Sequence, residues 1–222
     1  MDCVRRRPGA QVVQVLFGGT FDPVHDGHIA MVDQLRVTFP SATIHVIPNN
    51  QPPHRNSEVS ATHRLNMLQL AMSHLQGIKI NRIEFERPGP SYTIDTLNGL
   101  RDQFGNDESF VLVLGADAIR KMDFWFRPRA VPSLCNVCIL NRAGERVDIP
   151  SVLAEMNEIA DGGLLDNLPS GYLVRLQTPD LFVSSTLVLC SSDPRHPSLF
   201  AQLSQRNPAS PCKNNRHRRL VQ

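Results

Sequence analysis

Along the 222-residue chain, short apolar runs alternate with longer segments of helical spacing. Val12 to Phe17 is apolar at nearly every position, as a strand covered on both faces would be. A helical segment follows to about Phe39, with Ile29, Val32, Leu35 and Val37 as its apolar positions and Pro40 as its stop. Ala42 to Ile47 alternates and is β-branched, which predicts a second strand. Prolines and asparagines make 49–55 a loop. Thr62 is a candidate cap for a helix to about Leu75, and Ile78 to Ile83 reads as a strand. After the Pro88-Gly89-Pro90 turn, Ser91 or Thr93 opens a helix to about Phe104. Strands are expected at 110–114, 136–140 and 172–176, with a helix over 150–160. Strands separated by helices predict an α/β fold with a doubly wound, mostly parallel sheet.

In such a sheet, ligands sit at the carboxyl ends of the strands near the switch in strand order. Three unusual loops follow predicted strands: Gly18–His28, Asn49–Arg55 and Gly115–Asp117. They are expected to share one crevice. In the first, a glycine turn between strand and helix puts backbone N–H groups where a phosphate can sit. His25 and His28 fall three residues apart, on one face of the first helical turn. Neither G-x-G-x-x-G nor a P-loop is present, so this phosphate site is of another kind.

Composition narrows the picture further. Hydrophobic residues make up 41% of the chain, enough for a sizeable core. No apolar run nears the roughly 20 residues that span a bilayer, and Arg5-Arg6-Arg7 lacks a following apolar segment, so no membrane or secretory signal is expected. Five scattered cysteines predict no disulfide framework and a reducing cytoplasm. Cys135 and Cys138 flank a predicted buried strand without a second metal-ligand pair, so they are expected as packing residues rather than zinc ligands.

The motif run Gly18-Gly19-Thr20-Phe21-Asp22-Pro23-Val24-His25-Asp26-Gly27-His28 resembles the signature of bacterial nicotinate-nucleotide adenylyltransferases, in the wider H-x-G-H nucleotidyltransferase superfamily. Four further stretches agree in order and spacing: 47–55, 87–97, Gly115-Ala116-Asp117 followed by Trp125, and Val183-Ser184-Ser185-Thr186. The resemblance covers about 12–188 and implies a Rossmann-like nucleotidyltransferase fold that transfers AMP from ATP to nicotinate mononucleotide. It implies His25 and His28 as catalytic donors. Gly18, Gly19, Thr20, Phe21, Gly115, Asp117, Ser184, Ser185 and Thr186 are implied on the ATP side. Asn50, His54, Arg55, Tyr92, Thr93 and Trp125 are implied on the mononucleotide side. Mg²⁺ is expected to come in with the ATP phosphates rather than in a protein cage.

The likeness stops near Leu189, where the family carries a phosphate-binding arginine. Residues 190–222 hold six basic residues and one acid, leaving the body at −3. They are Ser-, Pro- and Asn-rich, the composition of disorder, as are residues 1–10. The expected division is therefore a lead-in to residue 10, a domain over 11–189 and a tail from 190. A frameshift and a true divergence both account for that tail. Loss of the arginine and of the closing helices makes a catalytically impaired nucleotide-binding relic the alternative to an active enzyme. Lys213, Arg216, Arg218 and Arg219, with no aromatic platform, argue against a nucleic-acid partner.

Overall fold

The computed structural model describes residues 12–53, 57, 59–142 and 146–178. Within them, seven parallel strands form one sheet in the order β3-β2-β1-β4-β5-β7-β6. The strands are β1 (Gln14–Gly19), β2 (Thr43–Pro48), β3 (Ile78–Ile80), β4 (Phe110–Gly115), β5 (Asn136–Arg142), β6 (Asn157–Ile159) and β7 (Tyr172–Thr178). The α-helices are α1 (Asp26–Thr38), α2 (Ala61–Met72), α3 (Thr93–Phe104) and the short α4 (Ala116–Arg120). No helix among the described residues is long and apolar enough to cross a membrane.

The near-continuous apolar runs follow from burial on both faces. Val13, Val15, Val111, Val113, Cys138 and Val174 point to a core that includes Val32 and Leu35 of α1 and Leu68 and Ala71 of α2. The alternate residues Leu16, Leu112, Leu114, Val137, Ile139 and Leu173 face the other core, with Leu97 and Leu100 of α3 and Ile119 of α4. Cys135 and Cys138 are free, fully buried and divided between the two cores, where burial raises both thiol pKa values, that of Cys135 to about 12.

Several elements depart from expectation. Residues 150–160 form no α-helix. A single 3₁₀ turn spans Ser151–Leu153, because Asp123 accepts from the Ser151 and Val152 amides and from Ser151 Oγ. The chain then pairs with β7 as the edge strand β6. The third strand stops at Ile80, since the Asn81 side chain accepts from the Ile83 amide and turns the chain. Ser60, not Thr62, caps α2 by accepting from the His63 amide, and that helix ends at Met72. Val37 is exposed rather than inward.

Order among the carbonyls at the amino ends of the strands comes from Arg101. Its guanidinium donates to Leu134 O, Gly105 O, Asn106 O, Glu108 O and Pro169 O, and lies 4.0 Å from the Phe110 ring centroid. In β2, buried His45 is held by Gln14 Oε1 at 2.8 Å and Asn81 Nδ2 at 3.2 Å. At the opposite end, β1 lies between β2 and β4, so the chain leaves β1 in one direction and returns on its other side. That switch opens a crevice at the carboxyl ends of β1 and β4.

Candidate active site

The turn after β1 is built around its aromatic residue. Phe21 takes φ +49°, a left-handed conformation uncommon outside glycine, and its buried ring folds back over Gly19. A Cβ on Gly19 would lie 3.1 Å from that ring, so any side chain there would press on Phe21. The ring edge then meets His28, with centroids 4.9 Å apart.

His25 occupies the N-cap of α1 with extended backbone, and His28 is the third residue of the helix. The two rings stack at 3.8 Å between centroids, tilted by 30°. The His25 amide donates to His28 Nδ1 at 3.2 Å. Burial, reinforced by the neighbouring His25, lowers the His28 pKa to about 3. Burial also lowers that of His25, against the opposing pull of Asp26. A helix amino end opposes positive charge as well. Since the lone pair of His28 Nδ1 is engaged, its proton sits on Nε2, and the neutral ring is a donor there. His25 Nδ1 is buried without a hydrogen-bond partner among the described residues. The site thus presents neutral imidazoles, which donate without titrating at neutral pH.

A cavity of about 230 Å³ runs from this turn along the α3 side of the sheet, where Leu16, Leu97, Leu112 and Leu114 line it. Gly18, Gly19, Thr20, Asn49, Ser91, Thr93 and Trp125 contribute to its wall. Asn49 continues the β1–β2 ladder by donating to Gly19 O at 2.9 Å. The next turn of chain is pinned reciprocally: Ser91 N donates to Gln51 O, and Gln51 N to Ser91 Oγ. Arg87 holds the other side of that segment, donating to Pro90 O, Tyr92 O and Thr96 Oγ1, and pairing with Asp95 at 3.4 Å. Thr96 in turn donates to buried Glu84 at 2.8 Å. Thr93 opens α3, and Tyr92 stacks at 4.7 Å on Phe126, which adjoins half-buried Trp125.

The three expected loops therefore converge on neighbouring strand ends, and most of the expected site residues that are described come together. Gly18, Gly19, Thr20, Thr93 and Trp125 line one cavity, with Phe21, His25 and His28 behind the turn. Others stand apart from that cavity. Asn50 turns toward a second hollow beside α2, and its carbonyl is taken by Arg64. Gly115 caps α4, and the Asp117 side chain is 88% exposed, 3.3 Å from Arg120. His54, Arg55, Ser184, Ser185, Thr186 and Leu189 lie outside the described residues, as do the lead-in and the tail. Sequence reading missed Arg64 and Glu84, both buried beside the site. The signal for Arg64 was its spacing: Arg64, Leu68 and Ala71 share the inward face of α2.

Residues 16–190 match the family described as cytidylyltransferase-like. A probable nicotinate-nucleotide adenylyltransferase of Serratia proteamaculans is 34% identical over 180 residues, covering 79% of this chain and 82% of that protein. One of Dechloromonas aromatica is 36% identical over 180 residues, covering 78% and 83%. In fold, the chain resembles Plasmodium falciparum nicotinic acid mononucleotide adenylyltransferase complexed with APC, at TM-score 0.65, 18% identity and 89% and 96% coverage. The same Plasmodium protein complexed with NaAD superposes with TM-score 0.62 at 19% identity, over 79% and 82% of the chains.

Proposed function

The chain belongs to the cytidylyltransferase-like family and to the nicotinate-nucleotide adenylyltransferases, and we infer that it transfers AMP from ATP to nicotinate mononucleotide. The products are deamido-NAD and pyrophosphate, which makes it an enzyme of NAD biosynthesis. The observation that carries this reading is the neutral His25–His28 pair at the amino end of α1, beside a cavity that reaches Thr93 and Trp125.

The chemistry suits those residues. The attacking oxygen belongs to a phosphate monoester, ionised at neutral pH, so no side chain has to remove a proton. That oxygen bonds to the α-phosphorus as the bond to pyrophosphate breaks, and the leaving group departs as an anion. The protein's task is to align two anions and stabilise charge at the α-phosphate. His28 Nε2–H and the helix amino end serve as donors there, and being neutral His28 gives up no proton that must be restored. The backbone of Gly18 to Phe21 faces the phosphates. On the acceptor side, Trp125 stacks on the pyridine ring, with Thr93 and Tyr92 beside it. Asp117 and Gly115 meet the ATP ribose, a role their place at the end of β4 supports. Ser184 to Thr186, Asn50, His54 and Arg55 complete the two subsites in this reading.

Among the described residues no three His, Cys, Asp or Glu side chains gather to hold a metal. We assign Mg²⁺ to the ATP phosphates and water, where a hard cation finds oxygen ligands. Bound there, it neutralises phosphate charge. Free, buried thiols support a reducing cytoplasm as the compartment. The test is pyrophosphate release that requires both ATP and nicotinate mononucleotide. Activity with nicotinamide mononucleotide in preference to the acid would replace the substrate, and no release with either would leave a nucleotide-binding relic.

A further inference from the structure

We propose that Arg64, outside the recognised motifs, is a positioning residue that sets the gap between the phosphate turn and the acceptor-side loop; this rests on the adenylyl-transfer reading above. The ladder between β1 and β2 ends where Asn49 N donates to Gly19 O. Beyond that bond the two chains separate, and one guanidinium spans them. Arg64 Nη1 donates to Thr20 O at 2.6 Å, and Nη2 donates to Asn50 O at 3.1 Å. The residue is 1% exposed, and its Nε is buried with no partner among the described residues.

Its place in the helix makes the choice of residue informative. Arg64 sits on the inward face of α2 with Leu68 and Ala71, both in the core. A leucine or methionine would bury there with no charge to desolvate, whereas a buried ion carries a penalty of several kcal/mol. The charges that it feels are Asp22 of the turn and Glu84 of the cavity wall. A planar fork can hold two carbonyls at a fixed separation; a flexible ammonium cannot. In-line transfer is sensitive to that separation, since a displacement of about 1 Å at the reacting atoms is worth on the order of 10²-fold in rate.

The test uses the full chain with R64K and R64M, in two arms. Without nucleotide, amide exchange is followed in peptides spanning 18–22 and 49–53, with 110–115 as control. The expected result is exchange faster by about tenfold or more in both loops together and unchanged in β4. Unchanged loops, or an equal rise in all three, would overturn the bridge. In the kinetic arm, R64K is expected to lose about 10- to 100-fold in kcat while both KM values stay within about threefold. R64K with kcat within about twofold of wild type, or a loss confined to KM, would overturn the positioning role. If R64M does not fold, R64K alone decides. A wild-type chain without turnover refutes the adenylyl-transfer reading instead, and the exchange arm still decides the bridge.

Discussion

The backbone amide of His25 donates to Nδ1 of His28 at 3.2 Å, and this one bond fixes which nitrogen of His28 carries the proton. It leaves Nε2–H as the donor, on a ring that burial and its stacked neighbour hold neutral.

His28→Ala removes that donor and is expected to lower kcat by about 10²- to 10³-fold, the scale found for a single transition-state donor. The fold should survive, because the helix keeps its backbone bonds. Steady-state kinetics beside a thermal melt checks both halves, and turnover near wild type refutes the role.

Acid should begin to destabilise the protein below about pH 6.5. The folded-state pKa of His45 is lowered to about 4 and that of His28 to about 3, from ordinary values of 6.5, mainly by burial. Both groups are depressed on folding, so the unfolded chain binds more protons between those values and 6.5. Their contribution is complete above pH 6.5 and is lost as pH falls toward 4 and then 3. His45 alone accounts for about 3 kcal/mol. Urea unfolding from pH 7 to pH 4 measures the slope, and His45→Gln is expected to flatten it.

Arg101→Met separates stability from function. Five carbonyls would lose their donor at the end of the sheet away from the crevice. A loss on the order of 3–5 kcal/mol in unfolding free energy is expected, with kcat per folded molecule unchanged. Chemical denaturation and specific activity together check it.

Trp125 is the single tryptophan, so its fluorescence reports directly on the cavity that it lines. Nicotinate mononucleotide is expected to quench it. Trp125→Ala should raise KM for the mononucleotide about tenfold while KM for ATP holds, as the loss of one stacking partner predicts.

How much of this was readable in the chain depended on whether local pattern and tertiary role agreed. Phe110 to Leu114 announced itself as a buried strand because both faces of β4 are covered. The glycine turn and the H-x-G-H pair were legible because their chemistry is local: a left-handed Phe21 over Gly19, and two rings one helical turn apart. Residues 150–160 misled because the edge pairing of β6 with β7 and the capping by Asp123, 28 residues away, outweigh helical spacing. Val37 misled because the fourth apolar position of α1 reached solvent rather than sheet. Arg64 was visible as a charge on an apolar face, but its partners, Thr20 O and Asn50 O, lie 44 and 14 residues away and needed the fold.

The most direct measurement follows the label from [α-³²P]ATP incubated with Mg²⁺, nicotinate mononucleotide and the full chain. Attack at the α-phosphorus predicts label in deamido-NAD, with unlabelled pyrophosphate formed in equal amount. Label left in ATP, or released as free AMP or ADP, would contradict adenylyl transfer at this crevice.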